Sequence, residues 1–236
     1  MKVYENPRMR DWAIKQVGNK MLVNQARTGP FHASEIYSCF RKTWFNRTDP
    51  HQYDAKTILL FATGFAVQEF FFGPEDDGEE INGVIFSPDR IVQNNVMEFK
   101  TTRRSPEVYA KDAKGKIDKT VPKVQFDIEA NESWITRTGA YCAEYNINKA
   151  HILVFFLFAN ELRAYTLEFS DKELEFIRAE VEEKRVALEA AFTKAQKKGG
   201  KIPSVQTRTG NWECNLCPYK EKCLTDLKKD GYQEEN

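Results

Sequence analysis

Two consecutive strand-like runs constrain the fold of this chain more than any other feature. HILVFFLF at 151–158 and LRAYTLEF at 162–169 are rich in β-branched and aromatic residues. Only the short segment 159–161 separates them, so they predict a β-hairpin. Helical patterns lie on both sides of this hairpin. We therefore expect a mixed α/β fold, in which helices flank a central sheet.

The sequence predicts four helices, at about 34–47, 52–72, 123–145 and 171–197. Ser34 is the expected N-cap of the first helix. Gly73 and Pro74 are expected to end the second helix. Ser170 opens a Ser-x-x-Glu capping box at the start of the last helix, which is rich in charged residues.

Three short β-type runs, 81–86, 89–92 and 96–101, lie between the second and third helices. The following segment, 103–121, is rich in Lys, Asp and Gly and poor in apolar residues. Such a composition predicts a flexible loop, and loops of this length often serve function. We interpret this segment as a flap that faces the substrate.

Composition limits the classes of protein to consider. With 236 residues the chain can form one main domain, with or without a small appended module. Its 35 basic and 35 acidic residues cancel, so any nucleic-acid surface must be a local patch. No apolar run of membrane-spanning length stands out, and the N-terminus has no pattern of a secretory signal. We expect a cytoplasmic protein that does not enter the membrane.

The runs 89–92 and 96–101 bring charged residues together. If Gln93 and Asn94 form a two-residue turn, Asp89 faces Glu98 across an antiparallel pair, where two like charges repel. Lys100 projects from the same face as Glu98. A cation between the two carboxylates would relieve the repulsion, and hard oxygen ligands favour Mg²⁺ or Mn²⁺. A solvated hairpin with ordinary surface charge is the plain alternative.

The cysteines indicate a second candidate metal site. Their number is odd and the chain has no export signal, so a disulfide framework is not expected. Cys214, Cys217 and Cys223 form a C-x2-C-x5-C array, which needs a fourth ligand to close a tetrahedral site. Cys39 is the preferred fourth ligand and Cys142 its competitor, although Cys142 is better explained as a small buried residue. Zinc and an iron-sulfur cluster are both compatible with four thiolates.

SPDRIV followed by VMEFKTT resembles the signature of the PD-(D/E)xK nucleases in its RecB-like form. The resemblance implies a restriction-endonuclease-like core. It also implies that Asp89 and Glu98 bind the metal and that Lys100 is the catalytic lysine. A second register, through Gly83, would place Phe86 at the position of the aspartate, so the register through Asp89 is preferred.

Two further motifs of this family have counterparts here. GFAVQE places Gly64 and Gln68 in the family's G-x-x-x-H/E pattern, which implies that Gln68 completes the metal shell, with Glu69 as the second choice. RTGAY resembles the Q-x-x-x-Y motif. It places Arg137 where the family has glutamine, with Tyr141 one turn later among the catalytic residues. Arg137 could hold a DNA phosphate in two hydrogen bonds.

One upstream cysteine followed by a C-terminal C-x2-C-x5-C resembles the iron-sulfur staple of the CRISPR-associated RecB-like exonucleases. The resemblance implies a structural [4Fe-4S] cluster on Cys39, Cys214, Cys217 and Cys223. It divides the chain into an N-terminal helical segment (1–50), a nuclease core (51–198) and an iron-sulfur module (199–236) that packs on the N-terminal helix.

The function that this resemblance implies is a metal-dependent deoxyribonuclease that acts on single-stranded DNA ends or overhangs. Recombination, repair and CRISPR spacer acquisition are the implied settings, with recombination proteins or a CRISPR integrase as partners. A DNA-binding adaptor without catalysis is the second hypothesis, because Gln68 and Arg137 depart from the family pattern. A zinc-ribbon or redox protein is the third.

Basic and aromatic residues near these motifs are candidates for DNA contact, since phosphates attract cations and bases stack on rings. A solvated charged surface is the plain alternative. The aromatic candidates are Tyr109 and Trp134. The basic candidates are Arg41, Lys42, Arg47, Arg103 and Arg104, with Lys111, Lys114, Lys116 and Lys119 in the predicted flap.

Overall fold

The computed structural model describes residues 6–20, 26–73, 78–109, 123–197 and 211–229. Its helices are α1 (Pro7–Lys20), α2 (Ala33–Ile36), α3 (Phe40–Thr48), α4 (Ala55–Phe72), α5 (Glu132–Glu144), α6 (Asp171–Lys197), α7 (Asn211–Leu216) and α8 (Lys220–Lys229). Its strands are β1 (Phe31–His32), β2 (Glu79–Ile81), β3 (Val84–Phe86), β4 (Arg90–Val92), β5 (Asn95–Thr102), β6 (Glu107–Val108), β7 (Val124–Gln125), β8 (Lys149–Phe156) and β9 (Glu161–Glu168). The fold is mixed α/β, as the sequence predicts.

The described residues form two compact units. The first unit comprises the described parts of Met1–Thr63, Asn82–Ile85 and Val181–Asn236. The second unit comprises those of Gly64–Ile81 and Phe86–Glu180. Each unit is described by itself below.

A four-stranded mixed sheet forms the main sheet of the second unit, in the order β4-β5-β8-β9. β5 pairs with β4 and β8 with β9 in antiparallel register, whereas β5 and β8 are parallel. A parallel pair requires a long connection, and α5 lies within this one and packs against both strands. The hairpin predicted from 151–158 and 162–169 is present as β8 and β9.

The interior of the second unit lies on one face of β8. Ile152, Val154 and Phe156 alternate along the strand and are fully buried. Phe126 and Trp134 pack against this row, and their rings stack on each other with centroids 6.2 Å apart. Side chains two residues apart share a face of a strand, so this alternation fixes which face of β5 and β8 meets the interior.

The turn between β4 and β5 sets the register of the hairpin. Gln93 and Asn94 both adopt a positive φ, 48° and 59°, which is typical of the two-residue turn of a β-hairpin. Val92 pairs with Asn95, and Arg90 pairs with Met97. The predicted turn and register are confirmed, and they bring Asp89 beside Glu98.

In the first unit, the C-terminal helices pack against α3. Trp44 and Phe45 of α3 share a buried cluster with Ala195 and Tyr219. The rings of Phe45 and Tyr219 stack with centroids 5.1 Å apart. The Tyr219 hydroxyl donates a hydrogen bond to Oδ1 of Asn46 at 2.8 Å. The segment around Tyr219 thus packs against α3.

The helix predicted at 34–47 is wrong as a single element, because the chain leaves the helical path between α2 and α3. Cys39 adopts an extended conformation, with φ −59° and ψ 128°, and forms the N-cap of α3. His32, rather than Ser34, is the N-cap of α2, and its N–H donates to the Glu35 carboxylate at 2.9 Å. Local capping therefore divides a continuous apolar pattern into two short helices.

The helix predicted at 123–145 begins later, at Glu132. Val124–Gln125 forms a strand instead, and a turn follows in which the Glu129 N–H donates to Oδ1 of Asp127 at 2.8 Å. Short polar side chains stabilise such turns in competition with a helix. Residues 110–122 of the predicted flap and 198–210 lie outside the described residues.

Helix α4 is long and apolar enough, by length and composition alone, to cross a membrane. Among its residues only Ile58 is buried, and Phe70 is 86% exposed. The expectation that no apolar run reaches this length is therefore wrong for α4. The helix also carries Gln68, which takes part in the polar site described next.

Candidate active site

Asp89 lies directly before β4 and is fixed by two hydrogen bonds. Its Oδ2 accepts the backbone N–H of Phe99, which belongs to the neighbouring strand β5. Its Oδ1 accepts Nε2 of Gln68 at 3.0 Å. The register of the hairpin and the position of helix α4 therefore fix the Asp89 carboxylate jointly.

Glu98 lies on β5 and is only 1% exposed. Its Oε1 accepts hydrogen bonds from Nζ of Lys100 and from Nη2 of Arg137, the latter at 2.6 Å. Its Oε2 has no hydrogen-bond partner within the described ranges. A buried carboxylate oxygen without a partner is costly, so this oxygen is where an added cation would be most stabilising.

Lys100 reaches the same point from two residues along β5. Its Nζ donates to Glu98 and also to the backbone carbonyl of Phe99 at 2.9 Å. Burial lowers the pKa of Lys100, and the Glu98 charge opposes that shift. The structure therefore brings Asp89, Glu98 and Lys100 together. We call these three residues, with Gln68 and Arg137, the carboxylate site.

The two carboxylates of this site differ in acidity. Burial, followed by the charge of Glu98, raises the pKa of Asp89 to about 7. Burial would also raise the pKa of Glu98, but the charges of Lys100 and Arg137 outweigh it and hold that pKa below its usual value. Without an added cation, Glu98 is ionised at neutral pH and Asp89 is close to half protonated.

The donor set fits a small divalent cation with few protein ligands. Asp89 and the free Oε2 of Glu98 supply hard oxygen ligands, and Mg²⁺ commonly binds one or two carboxylates while it keeps several waters. No group of three or more His, Cys, Asp or Glu side chains that could hold a metal occurs in the described part of the chain. Gln68 acts here as a donor to Asp89, whereas the sequence predicted it as a ligand.

Helix α5 contributes Arg137 and Tyr141. The sequence assigned Arg137 to a DNA phosphate, and it did not indicate the contact with Glu98 that the structure contains. No sequence spacing indicates this contact, because it depends on the packing of α5 against β5. Burial, with the Glu98 charge, raises the pKa of Tyr141, so its phenol keeps its proton.

The close approach of α4 to β5 depends on Gly64. A Cβ atom at this position would lie 3.2 Å from Oγ1 of Thr101. Glu69, the second choice as a ligand, is exposed on the helix.

The predicted DNA-contacting residues divide into several groups. Arg103 and Arg104 are exposed directly after β5. Trp134, by contrast, is partly buried and packs against the buried row of β8. Tyr109 is exposed, and Nζ of Lys123 lies 5.4 Å from its ring centroid. Lys111, Lys114, Lys116 and Lys119 lie outside the described residues.

Three of the basic candidates belong to the first unit. Arg41 is 2% exposed, and its Nη2 donates to the carbonyl oxygen of Cys223 at 3.4 Å. This burial removes Arg41 from the surface that a phosphate could reach, which corrects its assignment. Arg47 forms a salt bridge with Glu35 at 2.7 Å, and Lys42 is partly buried.

The four cysteines of the predicted iron-sulfur site also lie in the first unit, and we call them the cysteine group: Cys39, Cys214, Cys217 and Cys223. Burial raises the pKa of Cys217, and the neighbouring Cys39 and Cys214 raise it further. Burial raises the pKa of Cys223 as well, with further contributions from Cys39 and Cys217. Cys217 and Cys223 pack against the buried cluster of Trp44 and Tyr219. No three of these cysteines form a group that could hold a metal in the described part of the chain.

Cys142 has a different environment. It is fully buried within α5 of the second unit, and burial raises its pKa to about 12. Its interpretation as a small buried residue is confirmed. All five cysteines are free thiols.

No protein-family model and no curated protein matches this chain. The solved structure of SSO0001 is similar, with a TM-score of 0.52 and 15% identity, over 92% of this chain and 96% of that chain. An alkaline exonuclease (LHK-Exo) from Laribacter hongkongensis gives a TM-score of 0.40 and 14% identity, over 79% of this chain and 98% of that chain. A phage-related exonuclease from Haemophilus somnus 129PT gives a TM-score of 0.37 and 9% identity, over 75% of this chain and 99% of that chain. The likeness to SSO0001 concerns the fold, and the two exonucleases are more distant still.

Proposed function

We propose that this chain is a metal-dependent deoxyribonuclease of the PD-(D/E)xK type. The observation that supports this proposal best is the meeting of Asp89, Glu98 and Lys100 beside Oε2 of Glu98, a carboxylate oxygen without a hydrogen-bond partner among the described residues. Two acidic groups and one amine at the end of a hairpin suit the hydrolysis of a phosphodiester, in which negative charge develops on the phosphate.

Asp89 and Glu98 would hold Mg²⁺ or Mn²⁺. When bound, such an ion polarises a phosphoryl oxygen and makes a bound water more acidic. Lys100 is held by the Glu98 carboxylate and by the carbonyl of Phe99, which fixes its ammonium group beside the carboxylates. From there it can orient the attacking water and offset charge on the phosphate. Gln68 keeps Asp89 in place through its amide nitrogen.

Single-stranded ends or overhangs of DNA are the proposed substrate. Arg103 and Arg104 follow β5 directly and are exposed, so they can meet a phosphate backbone close to the end of the strand that carries Lys100. The proposed settings are recombination, repair or CRISPR spacer acquisition, with a recombination protein or a CRISPR integrase as partner. These settings follow from the sequence resemblance.

A digestion assay tests the activity. Single-stranded and double-stranded DNA, labelled at either end, are incubated with Mg²⁺, Mn²⁺ or chelator. We expect cleavage with metal only, and a loss of about 10²–10⁴-fold for Lys100→Ala, the range for one positioned catalytic group. Lys149→Ala is the matched control, since Lys149 lies on β8 and pairs at the surface with Glu168 at 2.9 Å. Equal digestion by all three proteins would exclude Lys100 from catalysis.

A DNA-binding adaptor with weak or no catalysis is the second candidate. One observation favours it: Gln68 already occupies one oxygen of Asp89, and Arg137 and Lys100 already occupy one oxygen of Glu98. In the same assay the adaptor predicts DNA binding without any metal-dependent product. Cleavage that Lys100→Ala abolishes would exclude it.

We further propose that the cysteine group holds a structural [4Fe-4S] cluster. The four thiols come from the N-cap of α3, from α7, from α8 and from the turn between α7 and α8. Two of them, Cys217 and Cys223, pack against the same buried cluster. Burial raises the pKa of both, and Lys42 and Arg41 respectively oppose this shift and so favour the thiolates that metal binding needs.

The composition of freshly purified protein tests this second site. Anaerobic purification should give a brown protein with iron and acid-labile sulfide. Replacement of any member of the cysteine group by alanine should remove both, whereas Cys142→Ala should retain them. A colourless protein with one zinc ion would establish the zinc alternative. A metal-free protein would exclude both zinc and an iron-sulfur cluster at the cysteine group.

A further inference from the structure

We propose that Arg137 couples metal binding to phosphate binding: its guanidinium holds Glu98 while no divalent cation is bound, and it leaves Glu98 for a DNA phosphate when the cation enters. This inference rests on the proposed nuclease function. It adds a role for the residue at which this chain departs from its resemblance to the RecB-like pattern.

The contacts of Arg137 support this role. Its Nη2 lies 2.6 Å from Oε1 of Glu98, and the same oxygen also receives the ammonium of Lys100. Two cations therefore share one carboxylate oxygen, while Oε2 has no partner within the described residues. One oxygen of Glu98 thus has two cationic partners and the other has none. A divalent cation at Oε2 would supply the missing partner.

Charge explains why the cation and Arg137 compete. When both acids are ionised, Asp89 and Glu98 carry two negative charges, and Lys100 and Arg137 carry two positive charges. With both acids ionised, as metal binding requires, these four side chains together carry no net charge. A divalent ion would leave an excess of two positive charges in a partly buried site, which is unfavourable unless an anion arrives or a cation departs.

Arg137 is able to depart toward a phosphate. The Arg137 side chain is 27% exposed, whereas that of Glu98 is 2% exposed, so the guanidinium lies between the buried carboxylate and solvent. Its Nε has no hydrogen-bond partner in the described part of the chain. The guanidinium therefore has donor capacity left, and planar two-point contacts to phosphate are a property of arginine. A phosphodiester oxygen could accept the hydrogen bond that Arg137 now donates to Glu98.

The test is the affinity for Mn²⁺, measured by isothermal titration with and without a phosphorothioate single-stranded oligonucleotide. In the wild-type protein the oligonucleotide should increase Mn²⁺ affinity about tenfold, which lies within the usual range of coupling between two sites. Equal affinities with and without the oligonucleotide overturn the proposal, and this comparison requires no variant.

Variants then locate the coupling. Arg137→Gln should bind Mn²⁺ without DNA about tenfold more tightly than wild type, and the oligonucleotide should change that affinity little. Arg137→Lys keeps the positive charge but not the planar fork, so its Mn²⁺ affinity without DNA should stay near that of wild type while the oligonucleotide increases it less. Arg163→Gln is the matched control, because Arg163 pairs with Glu161 elsewhere on the same sheet. Unchanged Mn²⁺ affinity in Arg137→Gln would assign Arg137 a structural role only. If no protein binds Mn²⁺ under any condition, the proposed metal site itself fails.

Discussion

The carboxylate site and the cysteine group, which we propose to bind metals, gather their side chains in opposite ways. The carboxylate site takes Asp89, Glu98 and Lys100 from one hairpin, so a turn of two residues sets their geometry. The cysteine group combines Cys39, the N-cap of α3, with three cysteines from far along the chain, of which Cys217 and Cys223 pack against the cluster of Trp44 and Tyr219. A local site can form as soon as its turn forms, whereas a distant one depends on the whole unit.

The two sites also differ in their electrostatics. The carboxylate site contains its own cations, Lys100 and Arg137, which are bonded directly to Glu98. In the cysteine group burial is the main cause of the raised pKa of Cys217 and Cys223, neighbouring thiols add to it, and Lys42 and Arg41 oppose it. We therefore expect the carboxylate site to stay folded without metal and the cysteine group to depend on its cofactor.

The largest expected effect on stability concerns the cysteine group. Cys39→Ala should lower the free energy of unfolding by about 4 kcal/mol, since a bound cluster restricts a long loop of the unfolded chain. Cys142→Ala, which removes only a small buried side chain, should cost about 1 kcal/mol. Urea unfolding of both proteins measures the difference. If Cys39→Ala costs no more than Cys142→Ala, the cysteine group does not carry a structural cofactor.

Glu98→Gln should cost about 3 kcal/mol, because it leaves two partly buried cations without their carboxylate. The double variant Glu98→Gln with Arg137→Gln removes one of these cations and should recover part of the loss. Thermal or urea unfolding in chelator gives the interaction energy of the pair. Strictly additive losses would mean that the contact between Arg137 and Glu98 contributes little in solution.

The acidity of Asp89 predicts a pH dependence of the metal-free protein. The folded protein retains this proton up to about pH 7, whereas the unfolded chain releases it near the ordinary value of 3.8. The folded state thus binds more protons in this window, so its free energy of unfolding falls as pH rises, by up to about 1.4 kcal/mol per pH unit from this group. The pKa of Glu98 is lowered, so Glu98 adds no such fall above its ordinary value of 4.5.

Asp89→Asn isolates this contribution. Unfolding experiments at pH 5 and pH 7 in chelator should show a clear loss of stability for wild type and a smaller loss for the variant. Saturating Mn²⁺ should reduce the wild-type loss, since the cation favours the ionised carboxylate. Parallel pH curves for wild type and Asp89→Asn would contradict the raised pKa.

The smallest expected effect tests the contact between α4 and β5. Gly64→Ala gains about 1 kcal/mol of helix propensity but places a Cβ atom 3.2 Å from Oγ1 of Thr101, a side-chain atom that can move. We expect a net change below about 1 kcal/mol. Gly64→Val adds bulk that the contact cannot accept and should cost about 1–3 kcal/mol. Equal stability of the two variants would show that close approach at Gly64 is not required.

The sequence predicts those features whose cause is local. The positive φ of Gln93 and Asn94 follows from the turn chemistry of polar residues, and it determines which side chains face each other on β4 and β5. The capping box at Ser170 is likewise local, and α6 begins directly after it. In both places neighbouring residues decide the conformation.

Features that depend on packing between distant segments were not accessible. The contact of Arg137 with Glu98 needs α5 to lie against β5, and no spacing along the chain encodes that distance. The burial of Arg41 depends in part on the C-terminal helix that carries Cys223, so its position on a short helix gave no sign that it is buried. The break between α2 and α3 was missed because the apolar pattern continues through it.

Anomalous diffraction from crystals grown with Mn²⁺ and a phosphorothioate single-stranded oligonucleotide tests the central claim most directly. We expect one Mn²⁺ bound by an oxygen of Asp89 and by Oε2 of Glu98, with a phosphate oxygen of the oligonucleotide as a further ligand. An anomalous peak away from both carboxylates, or no peak while Arg137 still holds Glu98 and the oligonucleotide is bound, would contradict the assignment of this site to metal-dependent cleavage of DNA.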